Sequence, residues 1–290
     1  MVVYFIATKL EDQEMIKIVC DSISDLPQEI LEKYNVDIVP LTVIFNNTEY
    51  LAGENLTTKD FYKMLRESDS MPKTSQATYV QFKSLFEKYD SDTEVIYISG
   101  SSVASGTYQS AMLAKNDGHD NVFIFDTENL SIGSTLFVIK ACEMVEMGYS
   151  VKEILSTLEK YKNNVEVAFS VDTLDYLKMG GRISSTKAAL GNLLSIKPIL
   201  EVKDGLVSQK SQVRGKKQIY STLAKTIVNK FGKNLKDNTI IIGCGDNEED
   251  FEIMKKALEK EAEVKNIYFV NIGCVVCSHS GPGIIGISCM

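Results

Sequence analysis

No run in this 290-residue chain approaches the ~18 consecutive apolar residues of a membrane-spanning helix, so no integral membrane segment is expected. Positive charge is also scarce: 31 Lys and Arg against 39 Asp and Glu leave a formal charge of −8. That balance argues against nucleic acid, whose phosphates call for a basic stripe. Any anionic ligand must then be held by local geometry rather than by the field of the whole molecule. The opening "MVVYFIATKLEDQE" lacks the basic n-region and small-residue cleavage site of a signal peptide, and residues 1–14 read as an N-terminal extension with no assigned role. Neither G-x-x-x-x-G-K-[ST] nor G-x-G-x-x-G occurs, which weakens a nucleotide reading. Cys274 and Cys277 form a C-x-x-C with no second pair to complete a metal site. On a strand, residues three apart face opposite ways, so the six cysteines are expected to be free, buried thiols of a reducing cytoplasm.

What is present is a soluble-protein composition, 44% hydrophobic and 24% charged, in an alternating pattern. Strand-like runs ("MIKIVCDS", "DIVPLTVIF", "EVIYIS", "NVFIFDT") alternate with runs of helical period ("DLPQEILEKY", "YVQFKSLFEKY", "TYQSAMLAK", "IGSTLFVIKACEMVEMGY"). Such alternation predicts a doubly wound parallel sheet over residues 15–164, with ligands received at the carboxyl ends of its strands. Those ends carry Asp21-Ser22, Ser99-Gly100-Ser101-Ser102 and Asp126-Thr127. Beyond them, Asp204-Gly205 between two strand-like runs predicts a hairpin, which a purely parallel sheet would not contain. A second, mixed α/β domain over 165–290 accounts for it.

Two hydroxyl clusters stand out. "SGSSVASGTYQSA" places serines just past a strand and Gly106 at the mouth of a helix, where unpaired N–H groups and the helix dipole favour an anion. Capping would require only one of them, such as Ser105. "TSQAT" contains Thr74, Ser75, Gln76 and Thr78; Thr78 can cap the helix starting at Tyr79, which leaves Thr74 and Ser75 unexplained. "KMGGRIS" sets a Gly-Gly turn beside Arg182, permitting close backbone approach. Of the two histidines, His119 lies in the loop "KNDGHDN" and reads as solvated. For His279, in "HSGPG", a buried hydrogen-bonded ring and a ligand contact weigh equally.

Taken in order, "CDSISDLP", "TSQAT", "SSVASGTYQSA", "DTENLSIG", "YLKMGGRIS", "NLLSIKPIL" and "HSGPGIIG" resemble the motifs of the DegV family of bacterial proteins, from Met15 to the end. The resemblance implies a two-domain DegV-like (EDD) α/β fold holding one long-chain fatty acid, such as palmitate, between its domains. It implies a non-enzymatic carrier with no cofactor, whose carboxylate site corresponds to Thr74 and Ser105, with Arg182 and His279 close to the head group. Ser75, Gly106 and Thr107 belong to the same two motifs. Some members present the acid to a separate fatty acid kinase, which makes an acyl phosphate for phospholipid synthesis. Ala77 stands where the family frequently has Pro, and an extra Ser-Ser precedes the S-G-T turn.

The chemistry agrees with that implication. Each buried methylene gains ~0.8 kcal/mol, whereas a carboxylate without partners loses several kcal/mol on leaving water. Hydroxyl donors, helix N–H groups and a nearby Arg can restore its solvation. Candidate tail linings are "ALGNLLSI" and the apolar positions of "IGSTLFVIKA". Two rivals remain open: a serine hydrolase using Ser102, in a G-x-S-x-A approximation of a nucleophile elbow, with His279; and a phosphate-ligand protein with the Ser-rich turn as anion cradle.

Overall fold

The computed structural model describes residues 15–68, 70–184 and 196–290. In chain order the first part comprises β1 (Met15–Asp21), α1 (Gln28–Tyr34), β2 (Asp37–Val39), β3 (Thr42–Phe45), β4 (Thr48–Leu51), α2 (Thr58–Arg66) and β5 (Lys73–Ser75). There follow α3 (Tyr79–Phe86), β6 (Thr93–Ser99), α4 (Thr107–Lys115), β7 (Val122–Asp126), α5 (Ile132–Glu146) and α6 (Val151–Tyr161). Then come β8 (Glu166–Ser170), α7 (Asp175–Gly180), β9 (Ile196–Lys203), β10 (Leu206–Arg214) and α8 (Lys216–Phe231). The chain closes with β11 (Asn234–Cys244), α9 (Glu249–Glu259), β12 (Glu263–Asn271), α10 (Cys274–Ser280) and β13 (Ile285–Cys289).

The first sheet has the order β2-β1-β6-β7, and every pairing in it is parallel. Its two faces are both covered, as its Ile- and Val-rich strands require. On one face Tyr97 of β6 packs edge-on against Phe82 of α3, with ring centroids 4.9 Å apart. On the other, Phe125 of β7, the register partner of Ile98, packs on Phe137 of α5. Adjacent strand residues face opposite ways, so Tyr97 and Ile98 define the two sides.

The second sheet is mixed, in the order β10-β9-β8-β13-β11-β12. Asp204 and Gly205 turn β9 into an antiparallel β10, as their sequence predicts. A third, three-stranded antiparallel sheet, β4-β3-β5, was not legible in the pattern. It exists because "DIVPLTVIF" is not one strand. The run breaks at Pro40, whose missing N–H cannot serve a ladder, and β2 and β3 join different sheets.

Helix α5 ties the two larger sheets together. Eleven of its 15 residues are buried, and it touches β1 and β6 on one side and β8, β11 and β13 on the other. A helix apolar on all sides belongs in an interior. Phe137, at 0% exposure, sits in that layer. Phe137→Ala should lower unfolding free energy by about 3–5 kcal/mol, read as a shift in the urea midpoint. A loss below ~1 kcal/mol would mean the layer is not close-packed.

Candidate functional site

The strand ends converge through their own hydrogen bonds. Asp21 accepts from the Gly100 N–H (3.2 Å) and the Ile23 N–H (2.8 Å), Thr127 N–H donates to Ser99 O (3.2 Å), and Ser102 N–H donates to Asp126 Oδ1 (3.2 Å). Several serines of the cluster therefore serve the loop itself. Ser99 Oγ donates to Gly100 O at 2.8 Å, and Ser101 Oγ accepts from Val103 N at 3.2 Å. Ser105 is the one that lines a cavity, in company with Thr74, Gln76, Arg182 and His279. The cavity comprises about 840 Å³, part of it open to solvent, and most of its wall is apolar: Ile132, Val167, Phe169, Val202 and Val207 among others. Its walls come from residues on both sides of position 165.

Thr74 lies mid-strand in β5, paired with Val43 of β3. Strand alternation turns Ser75 to the opposite face, where it is exposed and does not line the cavity. Thr78 is the N-cap of α3, and with Gln81 forms a capping box. Gln76 crosses to the serine loop, donating from Nε2 to Ser110 Oγ at 2.9 Å. Gly106 allows that crossing, because a Cβ there would lie 1.9 Å from Gln76 Oε1. Gly106 is also the N-cap of α4, so Ser105 precedes the cap and its Oγ accepts from the Thr107 N–H at 3.2 Å.

Proton accounting sharpens the site. Ala77 N–H donates to Thr107 Oγ1 at 3.3 Å, a bond that a proline at this position could not make. Thr107 Oγ1 is 2.8 Å from Ser105 Oγ. Either hydroxyl can donate in that contact; with Thr107 as the donor, Ser105 accepts twice, from the Thr107 hydroxyl and the Thr107 N–H, and its own proton is left for the cavity. Thr107 itself is fully buried and does not line the cavity.

His279 does the same for Thr74. Its Nε2 is 2.7 Å from Thr74 Oγ1, while its Nδ1 is buried and has no partner among the described residues. Burial, and secondarily the Arg182 charge, push the imidazole down to about 4 from 6.5, so the ring is neutral at pH 7. We assign the proton to Nε2, since on Nδ1 it would be a buried donor without acceptor. Thr74 then accepts from the ring and turns its own O–H to the cavity. Gly180 makes this packing possible: a Cβ there would lie 2.1 Å from His279 Nδ1. Arg182, in the next turn, is anchored by donation from Nε to Ala104 O (3.0 Å) and from Nη1 to Gly180 O (2.5 Å). Its backbone pairs with Val207 of β10 through a 3.1 Å bond.

Sequence reasoning missed Gln76, which lines the cavity from within a quoted motif, and Ser131, which lines it deeper. Ser131 has φ of 50° and donates to Asp25, whose other oxygen accepts from Gly273 N at 2.8 Å. Burial outweighs those two bonds and pushes the Asp25 carboxyl up to about 7. Of the proposed tail linings, Ile132 reaches the cavity, while residues 189–195 of "ALGNLLSI" lie outside the described residues, as do residues 1–14.

Two expectations need correction. Cys274 and Cys277 lie on α10, not a strand, so their side chains share a helical face. Cys277 Sγ is 2.7 Å from Tyr62 Oη, and no cluster of three ligating residues exists among those described. All six thiols are free and buried, and burial raises Cys274 to about 12. The hydrolase pairing is not assembled either. Ser102 does not line the cavity, His279 Nε2 is engaged by Thr74, and the helix begins at Thr107 rather than at Ser102. Among the described residues no helix is long and apolar enough to cross a membrane.

These features define an α/β protein with a largely apolar cavity whose wall includes the Thr74 and Ser105 hydroxyls and Arg182. The chain matches the profile of the DegV family, described as uncharacterised proteins, over residues 15–290, and it belongs to that family. It is 36% identical over 280 residues to a DegV domain-containing protein of Clostridium perfringens, covering 92% of this chain and 94% of that one. Among solved structures, a DegV lipid-binding protein of Thermotoga maritima superposes with a TM-score of 0.87 at 32% identity, over 95% of this chain and 98% of the other. A DegV family protein of Thermus thermophilus, described for its fatty acid binding, gives 0.86 at 32% identity, over 95% and 99%.

The imidazole provides a test. An NMR titration of His279 should give a midpoint near 4 rather than 6.5. Because the unfolded chain takes up this proton first, stability should fall as pH drops from 6.5 through 4. A midpoint at or above 6.5 would show that the ring is not held dry.

Proposed function

We propose that this protein binds a long-chain fatty acid, such as palmitate, between its domains at 15–164 and 165–290. The carboxylate is held by the Thr74 and Ser105 hydroxyls. The observation that carries this reading is that the Thr74 and Ser105 hydroxyls line one largely apolar slot together, Thr74 in contact with His279 Nε2 and Ser105 accepting from the Thr107 N–H. Related structures described as lipid- or fatty acid-binding support the ligand class. Each methylene transferred into the slot gains about 0.8 kcal/mol, a gain offset in part by immobilisation. At the head, two hydroxyl donors and the Arg182 guanidinium supply what the carboxylate loses in water. Gly106 and Thr107 act indirectly, by seating Gln76 and orienting Ser105. Ser75, on the outer face of β5, has no part in the site.

The protein acts as a cytoplasmic carrier rather than as a catalyst, requires no cofactor, and presents the acid to a fatty acid kinase that forms an acyl phosphate. Hydroxyl donors suit that role, since they leave a carboxylate oxygen less tightly held than a bidentate Arg would. The exposed position of Met179, at 69%, beside the Gly180–Arg182 turn gives such a partner an apolar foothold near the mouth.

Organic extraction of the purified protein followed by lipid mass spectrometry should yield a long-chain fatty acid in near-stoichiometric amount. Thr74→Ala combined with Ser105→Ala should weaken rebinding by about 100-fold or more, the loss of two hydrogen bonds to a charged group at about 1.5 kcal/mol or more each, with unchanged circular dichroism. Full affinity in the double variant would remove both residues from the head-group site. Labelling of Ser102 by a fluorophosphonate would instead favour hydrolysis.

A further inference from the structure

The cavity has a direction that can be read from the sheet order. Its polar end lies at β10, where Val207 pairs with the backbone of Arg182, whose side chain reaches Ala104 beside Ser105. From there the wall passes to Val202 on β9, Phe169 on β8 and Gly286 on β13, successive neighbours in the order β10-β9-β8-β13. Phe169 and Gly286 are direct register partners. Three strand spacings of about 4.8 Å separate the ends, a span on the order of 14 Å.

Along this order Gly286 is the last residue within a strand that lines the cavity, among the described residues. The next strand, β11, places Gly243 opposite Gly286, yet Gly286 lines the cavity and Gly243 does not. Ile132, at the first turn of α5, sits over both. A Cβ at Gly243 would lie 2.8 Å from Ile132 Cγ2, and a Cβ at Gly286 would lie 3.1 Å from Ile132 Cδ1 and 3.0 Å from Phe169 Cβ. Two adjacent glycines thus form a bare seat filled by Ile132 from the helix and, over Gly243, by Ile272, whose Cδ1 and Cγ1 would lie 3.1 Å from a Cβ there. The seat is braced on the same turn, where Ser288 Oγ donates to Ile132 O at 2.9 Å and Gly133 abuts Val167. A braced wall cannot retreat from a longer tail as a mobile loop would.

We infer that Gly286 and Ile132 form the end stop of the acyl slot and set the longest chain the protein accepts. This rests on the fatty acid reading above. Gly286 contributes by what it lacks: a Cβ there would lie 3.0 Å from Phe169 Cβ and 3.1 Å from Ile132 Cδ1, so a methyl pushes these two wall side chains toward the terminal methylenes, whereas trimming Ile132 opens space beside Gly286 and Gly243. Neither residue touches the head group, so the two changes act on chain length and leave the affinity for short acids alone.

The test uses the full chain, delipidated, with displacement of a fluorescent fatty acid by saturated acids from octanoic to eicosanoic. Gly286→Ala should lower the preferred length, weakening the longest acids by about fourfold for each methylene excluded, while octanoic acid, too short to reach position 286, binds as before. Ile132→Ala should move the preference to longer acids, and should do so even if the added methyl at 286 prevents folding. If either folded variant changes all acids by one common factor, or leaves their ranking as in the wild type, the end stop lies elsewhere. Should the wild type displace the probe with no acid of any length, the binding reading and the end stop both fall.

Discussion

The site depends on where two protons point. A hydroxyl at the end of an apolar slot is of use to an anion only as a donor, and a free rotor would as readily offer a lone pair. At Thr74 the neutral ring of His279 settles this with the proton assigned to its Nε2. At Ser105 the Thr107 N–H donates, and the Thr107 hydroxyl, itself accepting from Ala77 N–H, lies 2.8 Å away and can take either role. Both arrangements are built before any ligand arrives, so binding does not have to reorganise the donors. The remaining architecture serves to bring these two small constructions, from β5 and from the loop before α4, to one end of one cavity.

That convergence relies on backbone approaching side chain more closely than a Cβ would allow. Gly106 admits Gln76, which locks the loop after β5 to the serine loop, and Gly180 admits His279, which locks α10 to the turn carrying Arg182. Each lock joins segments far apart in sequence, and each sits within one or two residues of a cavity-facing polar group. Helix α5 supplies the complementary rigidity on the apolar side, buried between the two large sheets. The head of the slot is therefore fixed by hydrogen bonds and the tail by packing.

Much of this was legible from residue pattern, and the failures have local causes. Parallel strands announced themselves because both faces are buried, so Ile and Val run without alternation through "KIVC" and "VIYI". The β9–β10 hairpin was visible in Asp204-Gly205, residues that tolerate a left-handed backbone. The break at Pro40 was hidden, because apolar residues on both sides of it satisfy a strand pattern although they enter different sheets. Cys274–Ser280 is a short helix of small residues with no periodic contrast to reveal it. Ser75 and Thr74 are chemically alike in sequence, and only the register of β5 against β3 separates the face that lines the cavity from the face that does not. Proton direction has no sequence signature at all, since it depends on contacts such as Thr74 with His279 that span 205 positions.

The charge arrangement distinguishes holding a ligand from cleaving one. A nucleophilic serine needs a base whose pKa lies near the working pH and whose nitrogen is free to take its proton. His279 meets neither condition: burial holds it at about 4, and its Nε2 faces a threonine placed to accept. The nearby cation, Arg182, is anchored on two backbone carbonyls, so it contributes positive potential more than a bidentate clamp. Such a site lowers the cost of burying one negative charge without polarising any bond for attack. Geometry that is poor for hydrolysis is, for the same reasons, compatible with the proposed holding of a carboxylate.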